Sequence, residues 1–210
     1  MSKPRTANPA LAMSEADLAS ALALIGTEIH HQPLRSSALA RIMRETFHGS
    51  DAGGTWDWRM AYDLMQATAV QALLRGDNSE DDYYAAKLLA SRLLTETRRS
   101  EQQIRLQQFS TPLPFAALTV RAAAIRKGET VLEPSAGTGA PAAFAARAGA
   151  TLLLNEIDPF RQRLLRAVFG GEVTGHDGEH IDDLLQSTVL PDVVVMNPPF
   201  ASSVDRSRDK

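Results

Sequence analysis

The chain has 210 residues, no cysteine and a formal net charge of -3. This length suits one ordinary domain or two small ones with a real hydrophobic core. Without cysteine there is no disulfide framework, thiolate nucleophile or cysteine-based zinc site, which fits a reducing, cytoplasmic environment. The apolar runs are too short to span a bilayer, and the charge disfavours a strongly basic nucleic-acid binder without excluding a basic face.

The first half of the chain has the pattern of helices only, and we place a domain boundary after residue 106. Ser14 and Asp17 predict a capping box at the start of a first helix. Further helices are expected to begin at Ser36 or Ser37, at Thr55 and at about Glu80, the last ending near Thr97. We interpret the tryptophans and methionines of this half as packing groups.

A loose basic cluster near the boundary consists of Arg92, Arg98, Arg99 and Arg105. Contact with DNA phosphates is one interpretation of this cluster. Because Glu96 and Glu101 interleave with the arginines, we favour a solvated helix face.

The second half, 107–210, alternates between strand-like and helix-like runs. Strands are predicted at 130–133, 151–155, 172–174 and 192–196. Helices are predicted between them at 141–148, 159–169 and 181–185. This alternation predicts an α/β fold with a parallel, doubly wound, Rossmann-like sheet, whose ligands bind at the carboxyl ends of the strands.

The turn after the first predicted strand has small residues where a backbone can approach a ligand closely. It reads Glu133-Pro134-Ser135-Ala136-Gly137-Thr138-Gly139. A Gly-x-Gly turn alone is weak evidence, but the carboxylate of Glu133 adds specificity. The chain has no Gly-Lys-Ser/Thr triplet, which argues against a phosphate-binding NTPase loop.

The next two predicted strands also end at carboxylates. Glu156 is placed to accept hydrogen bonds from the two hydroxyls of a ribose. Asp158, before Pro159, is a better candidate than Glu156 for capping the following helix. Asp177 follows the third strand and can accept a hydrogen bond from an adenine amino group.

The most specific motif, Asn197-Pro198-Pro199-Phe200, follows the fourth predicted strand. The two prolines fix the backbone, leaving the Asn197 amide oxygen and the Pro198 carbonyl as rigid acceptors for a planar amino group. Such an amine can attack a methylsulfonium carbon, while Phe200 stacks on the base. Because the proton leaves after the attack, no strong general base is required.

Residues 107–203 resemble the family of S-adenosylmethionine-dependent methyltransferases that modify exocyclic amino groups, in its adenine-modifying Asn-Pro-Pro-Phe form. The resemblance implies that Thr111 and Pro112 close over the methionine end of the cofactor. The expected cofactor-binding residues are Thr111, Pro112, Glu133, Ser135, Ala136, Gly137, Gly139, Glu156 and Asp177. The expected catalytic residues are Asn197, Pro198, Pro199 and Phe200. The implied reaction is methyl transfer to adenine N6 in DNA.

More narrowly, the helical lead-in resembles the N-terminal methylase region of bacterial strawberry-notch-like helicase proteins. The matching segments are Trp56-Asp57-Trp58, Thr97-Arg98-Arg99-Ser100-Glu101 and Gln108-Phe109-Ser110-Thr111-Pro112. This resemblance implies a C-terminally incomplete domain, a helicase region downstream in a longer parent, and poor catalysis by this chain alone. A complete fold of the class has seven strands, of which only four precede the Asn-Pro-Pro-Phe loop.

Three alternatives stay open at the level of sequence. Related Asn-Pro-Pro-aromatic motifs serve methyltransferases of RNA bases and of protein glutamine. The fold can also survive as a non-catalytic, cofactor-binding or scaffold module beside a helicase.

The segment from His176 to His180 fits an inverted zinc-protease pattern, but Gly178 interrupts the helix that zinc binding needs, so we expect no metal site.

Overall fold

The computed structural model describes residues 13–76, 81–96, 110–185 and 190–198. Its α-helices are α1 (Glu15–His31), α2 (Ser36–Thr46), α3 (Trp58–Arg75), α4 (Asp82–Ala90), α5 (Leu113–Ala122), α6 (Ala140–Arg147), α7 (Pro159–Phe169) and α8 (Ile181–Leu184). Its strands are β1 (Thr130–Glu133), β2 (Thr151–Asn155), β3 (Val173–Thr174) and β4 (Val193–Val194). A short 3-10 helix, Gly178–His180, precedes α8.

The four strands form one parallel sheet in the order β3-β2-β1-β4. The predicted α/β fold with a parallel sheet is therefore confirmed, and it is compatible with a Rossmann-like architecture. Among the described strands β4 lies at an edge of the sheet, and it is shorter than the predicted 192–196. Val194 and Met196 are about half exposed there, at 50% and 49%.

The helix starts in the first half confirm one predicted cap and correct two others. Ser14 and Asp17 form the expected capping box. No side chain caps α2: Arg35 occupies its N-cap and both serines lie inside the helix. The cap of α3 is Asp57 rather than Thr55, because the Asp57 carboxylate accepts from Met60 N at 2.7 Å.

α4 is shorter than the predicted 80–97. Its cap is Asp81, whose side chain accepts from the amides of Tyr83 and Tyr84. The helix ends at Ala90, and the chain then folds against the end of α1. There Arg92 O accepts from Leu34 N at 2.8 Å, and the Arg92 guanidinium donates to Ile29 O and His30 O.

α5 lies in a segment for which the sequence patterns above predict no helix. Pro114 stands near its start, where a missing N–H costs nothing. Its buried residues, Leu113, Ala116, Ala117 and Val120, recur at three- and four-residue spacing.

The helical half packs directly on the helices that cover the sheet. One buried cluster joins α1, α2 and α3 to Phe160 and Leu164 of α7. A second joins Val70 and Leu73 of α3 to α5 and to Phe144 of α6. Residue 106 lies outside the described residues, so the boundary stays a prediction, but the helices before and after it share these hydrophobic clusters.

Within the described ranges, no helix has both the length and the apolar character needed to cross a membrane. The tryptophans are packing groups, as expected. Trp56 is 1% exposed within the first cluster, and its ring N–H donates to Gly49 O at 3.1 Å.

Candidate functional site at the carboxyl edge of the sheet

Asn155, the last residue of β2, ties together the carboxyl ends of three strands. Its side chain is fully buried, and its Nδ2 donates to Pro134 O after β1 and to His176 O after β3, at 2.8 and 2.9 Å. Its Oδ1 accepts from Thr174 Oγ1 and His176 N, both at 2.8 Å. This fully satisfied side chain sets the spacing of the turns that carry the candidate residues.

The two glycines of the turn after β1 serve different purposes. Both have left-handed backbones, with φ of +57° at Gly137 and +88° at Gly139. A Cβ at Gly139 would lie 2.5 Å from Phe169 Cε2, so this position also needs glycine for packing against α7. A Cβ at Gly137 would meet nothing within 4 Å, so the side of this turn is open.

Glu133 ends β1 as a buried carboxyl group, 3% exposed. The Ala142 N–H near the start of α6 is one hydrogen-bond donor to it, yet Oε2 has no hydrogen-bond partner among the described residues. Burial raises the pKa of Glu133 well above its ordinary value. The hydrogen bond from the Ala142 N–H lowers this pKa, and the nearby charge of Glu156 raises it further. An unmatched buried acceptor of this kind is what a donor group on a ligand would satisfy.

Glu156 lies one residue beyond β2 and is 4% exposed. Its Oε2 accepts from Gly137 N at 2.7 Å and its Oε1 from Asp158 N at 2.8 Å. Burial raises its pKa, while the charge of Arg161 and the hydrogen bonds from both backbone donors lower it. The carboxylate therefore links the glycine turn to the start of α7, and its contact with a ribose stays a prediction.

Asp158 caps α7, as the sequence predicts, because its Oδ1 accepts from Phe160 N and Arg161 N at 2.9 and 3.1 Å. Asp177 also caps a helix: it is exposed and accepts from Glu179 N at 3.1 Å at the start of the 3-10 turn. Its contact with adenine stays a prediction.

The turn after β3 lies against the turn after β1. A Cβ on Gly178 would lie 3.1 Å from Ser135 Oγ and 3.2 Å from Pro134 O. Ala136, in the same turn, is buried and its N–H donates to Asn155 O at 2.9 Å. The candidate residues that follow β1, β2 and β3 are therefore neighbours.

Asn197 follows β4 and contacts the segment before α5. Val195 N donates to Leu132 O at 3.0 Å, which places Asn197 just past the end of β1. Its Nδ2 donates to Thr111 Oγ1 at 3.1 Å, and Pro112 next to Thr111 is the N-cap of α5. The structure thus brings the predicted catalytic asparagine to the predicted cofactor-covering segment.

Some predicted residues fall outside the described part of the chain. These are Pro199, Phe200, Gln108, Phe109, Arg98, Arg99 and Arg105. Arg92, the described member of the basic cluster, donates to the last carbonyls of α1.

The sequence reasoning missed Asn155, Arg59, Asp63 and Arg161, which are all buried. The sequence offers only a weak signal for them, an Arg and an Asp one turn apart in the largely apolar first half of α3. No group of three or more histidine, aspartate or glutamate side chains in the described ranges could hold a metal ion.

Comparisons with protein-family models, with curated proteins and with solved structures find no match to this chain.

Proposed function

We propose that this edge of the sheet binds S-adenosylmethionine and that the protein transfers a methyl group to N6 of adenine in DNA. The observation that carries the proposal is the hydrogen bond between Asn197 and Thr111. It joins the asparagine of the Asn-Pro-Pro-Phe motif to the segment expected to cover the cofactor, across 86 residues of sequence. The order β3-β2-β1-β4 supports a class I methyltransferase, because it matches the first four positions of the Rossmann strand order.

The residues at this edge fit the hydrogen-bond donors of the cofactor. S-Adenosylmethionine carries an ammonium group, two ribose hydroxyls and an adenine amine. Glu133, Glu156 and Asp177 offer carboxylates at three successive strand ends, and Glu133 Oε2 has no hydrogen-bond partner in the described structure. We assign the ammonium end to the neighbourhood of Glu133, the ribose to Glu156 and the adenine to Asp177.

Asn197 and Pro198 would hold the substrate amine. The bound cofactor supplies an electrophilic methyl group. With its nitrogen directed to Thr111, the Asn197 amide leaves its oxygen to accept one N–H of the amine, and the Pro198 carbonyl accepts the other. Both contacts draw the nitrogen lone pair away from the ring. Adenine reaches such a site only when it is flipped out of the duplex.

The test is transfer of a labelled methyl group to DNA and to RNA, followed by analysis of the nucleosides. We expect N6-methyladenine from DNA with the wild-type chain, at the low rate expected of this chain alone, and none with Asn197→Ala. Glu179→Gln, an exposed change at the same edge, serves as the control and keeps the activity. Exclusive formation of N4-methylcytosine, or of methylated RNA, would overturn the substrate assignment. Cofactor binding without any transfer would point to a non-catalytic module.

A further inference from the structure

Four buried charged side chains connect the helical half to the edge of the sheet. Arg59 and Asp63 lie one turn apart on α3, and Asp158 and Arg161 lie at the start of α7; each is at most 9% exposed. Arg161 Nε and Nη2 donate to Asp63 Oδ1 at 3.1 and 2.8 Å. Arg59 Nη2 donates to Asp158 Oδ2, and its Nε lies 3.8 Å from Asp63 Oδ2.

This network contributes more to the relative position of α3 and α7 than to the net stability of the fold. Removing four charges from water carries a large desolvation penalty, which an apolar cluster of equal volume would avoid. Arginine holds two carboxylates in a fixed, planar arrangement that no apolar side chain reproduces. The network therefore fixes the position of the first turn of α7 relative to α3.

The first turn of α7 in turn holds Glu156. Burial opposes ionisation of Asp158, yet the charge and hydrogen bond of Arg59, together with the N–H and charge of Arg161, lower the pKa of Asp158 below its ordinary value. The Asp158 N–H donates to Glu156 Oε1, while Gly137 N donates to Glu156 Oε2. The charge of Arg161 also favours the ionised form of Glu156.

We propose that Arg59 and Asp63 of the helical half are positioning residues of the cofactor site, which act by fixing the Glu156 carboxylate for the ribose hydroxyls. The proposal rests on the proposed function for the identity of the ligand. It assigns the helical half a role in ligand recognition although none of its described residues was predicted to bind the ligand.

A second ion pair between the helical half and α7 provides a matched control. Arg163, on α7, donates to Glu15 at the start of α1, at 2.7 Å. The Glu15 side chain is 77% exposed, and the pair is separate from the hydrogen bonds that Glu156 accepts from Gly137 N and Asp158 N. Glu15→Gln therefore weakens the docking of α1 on α7 without disturbing the link to Glu156.

The first measurement needs no ligand. Amide hydrogen exchange by NMR reports on the Gly137 N–H, which donates a hydrogen bond to Glu156 Oε2. We expect Arg59→Gln to speed exchange at Gly137 about tenfold relative to β2 core amides, as loss of one hydrogen bond implies. Glu15→Gln should leave this ratio unchanged.

The second measurement is a double-mutant cycle on the affinity for S-adenosylhomocysteine. We expect Arg59→Gln to weaken binding about tenfold in the wild-type background and to have little further effect in Glu156→Ala. A residue that supports only the fold would weaken both backgrounds by the same factor. Arg59→Lys, which keeps the charge but loses the planar fork, should fall between wild type and Arg59→Gln.

Unchanged exchange at Gly137 in folded Arg59→Gln, or equal losses in both backgrounds, would overturn the proposal. If Arg59→Gln does not fold, Arg59→Lys decides, and wild-type exchange and affinity in that variant would count against it. If the wild type binds no S-adenosylhomocysteine but Arg59→Gln still frees the Gly137 amide, the proposed function fails while the positioning of Glu156 stands.

Discussion

Asn197 Nδ2 donates a hydrogen bond to Thr111 Oγ1 at 3.1 Å, from the end of β4 to the start of α5. Thr111 is half-buried and Asn197 is exposed, so the pair lies at the rim of the site. The contact restrains rotation of the asparagine amide. If Asn197 holds the substrate amine, the Thr111 hydroxyl determines which amide atom faces it.

Thr111→Val removes this hydroxyl with little change in shape. We expect methyl transfer to fall about tenfold, because one hydrogen bond that orients the amide is lost. Thr111→Ser keeps the hydroxyl and should retain most of the activity. Thr119→Val, which removes an exposed hydroxyl bonded to Phe115 O on α5, is the control. Wild-type rates in Thr111→Val would show that the contact does not matter for transfer.

Glu133 should make the fold sensitive to pH. Because burial raises its pKa in the folded state, the native protein holds this proton more tightly than the unfolded chain does. Its contribution to stability is complete below the ordinary value of 4.5 and is lost as pH rises toward the raised pKa. Glu133→Gln cannot ionise. We expect its stability relative to wild type to grow as the pH rises from 4.5 toward the raised pKa of Glu133.

Urea unfolding at several pH values measures this difference. Glu129→Gln, before β1, changes a partly exposed carboxylate that accepts from Arg126 N and serves as the control variant. If the difference between Glu133→Gln and wild type is independent of pH, the buried carboxyl group does not titrate as described. A more stable Glu133→Gln that binds the cofactor less well would mark Glu133 as a ligand contact whose burial costs stability.

Asn155 should be essential to the architecture of the edge. Asn155→Ala removes the partner of the Pro134 and His176 carbonyls and of the His176 N–H, and leaves the Thr174 hydroxyl only Leu154 O; we expect a loss of about 3 kcal/mol in the free energy of unfolding. Thr151→Ala, at the exposed start of the same strand, should cost much less. If Asn155→Ala lowers the free energy of unfolding by less than about 1 kcal/mol, other groups determine the distance between the turns.

The strands and the helices between them followed from local patterns. β1 and β2 match the predicted residues because short apolar runs, each opened by a threonine, end at Glu133 and Asn155 before turn residues. The strand order and the edge position of β4 fit βαβ alternation. The early helix starts were less predictable, because Asp57 lies close to the competing cap Thr55.

The buried network could not be predicted from sequence. Arg59 and Asp63 have the spacing of an ordinary surface pair, and their partners lie about a hundred residues later. Only the packing of α3 on α7 shows that these charges are buried. The roles proposed for Glu133, Glu156 and Asp177 come from their motifs and stay predictions, whereas their position at one edge follows from the parallel sheet.

β4 should be less protected than the centre of the sheet. β2 is hydrogen-bonded on both sides, whereas β4 pairs only with β1 within the described structure. We expect amides at 193–196 to exchange faster than those at 152–154, because an edge strand opens without disrupting other pairs. Equal protection in a monomeric sample would contradict this expectation and would indicate that further chain covers β4.

Binding of S-adenosylhomocysteine, measured by calorimetry on the wild type, Glu156→Ala and Asn197→Ala, tests the central claim most directly. We predict that the wild type binds and that Glu156→Ala weakens binding by about 1–3 kcal/mol, because the ribose hydroxyls lose their acceptor. Asn197→Ala should bind as the wild type does, since Asn197 faces the substrate. No binding by the wild type, or equal affinity in Glu156→Ala, would contradict the assignment of this edge as a cofactor site.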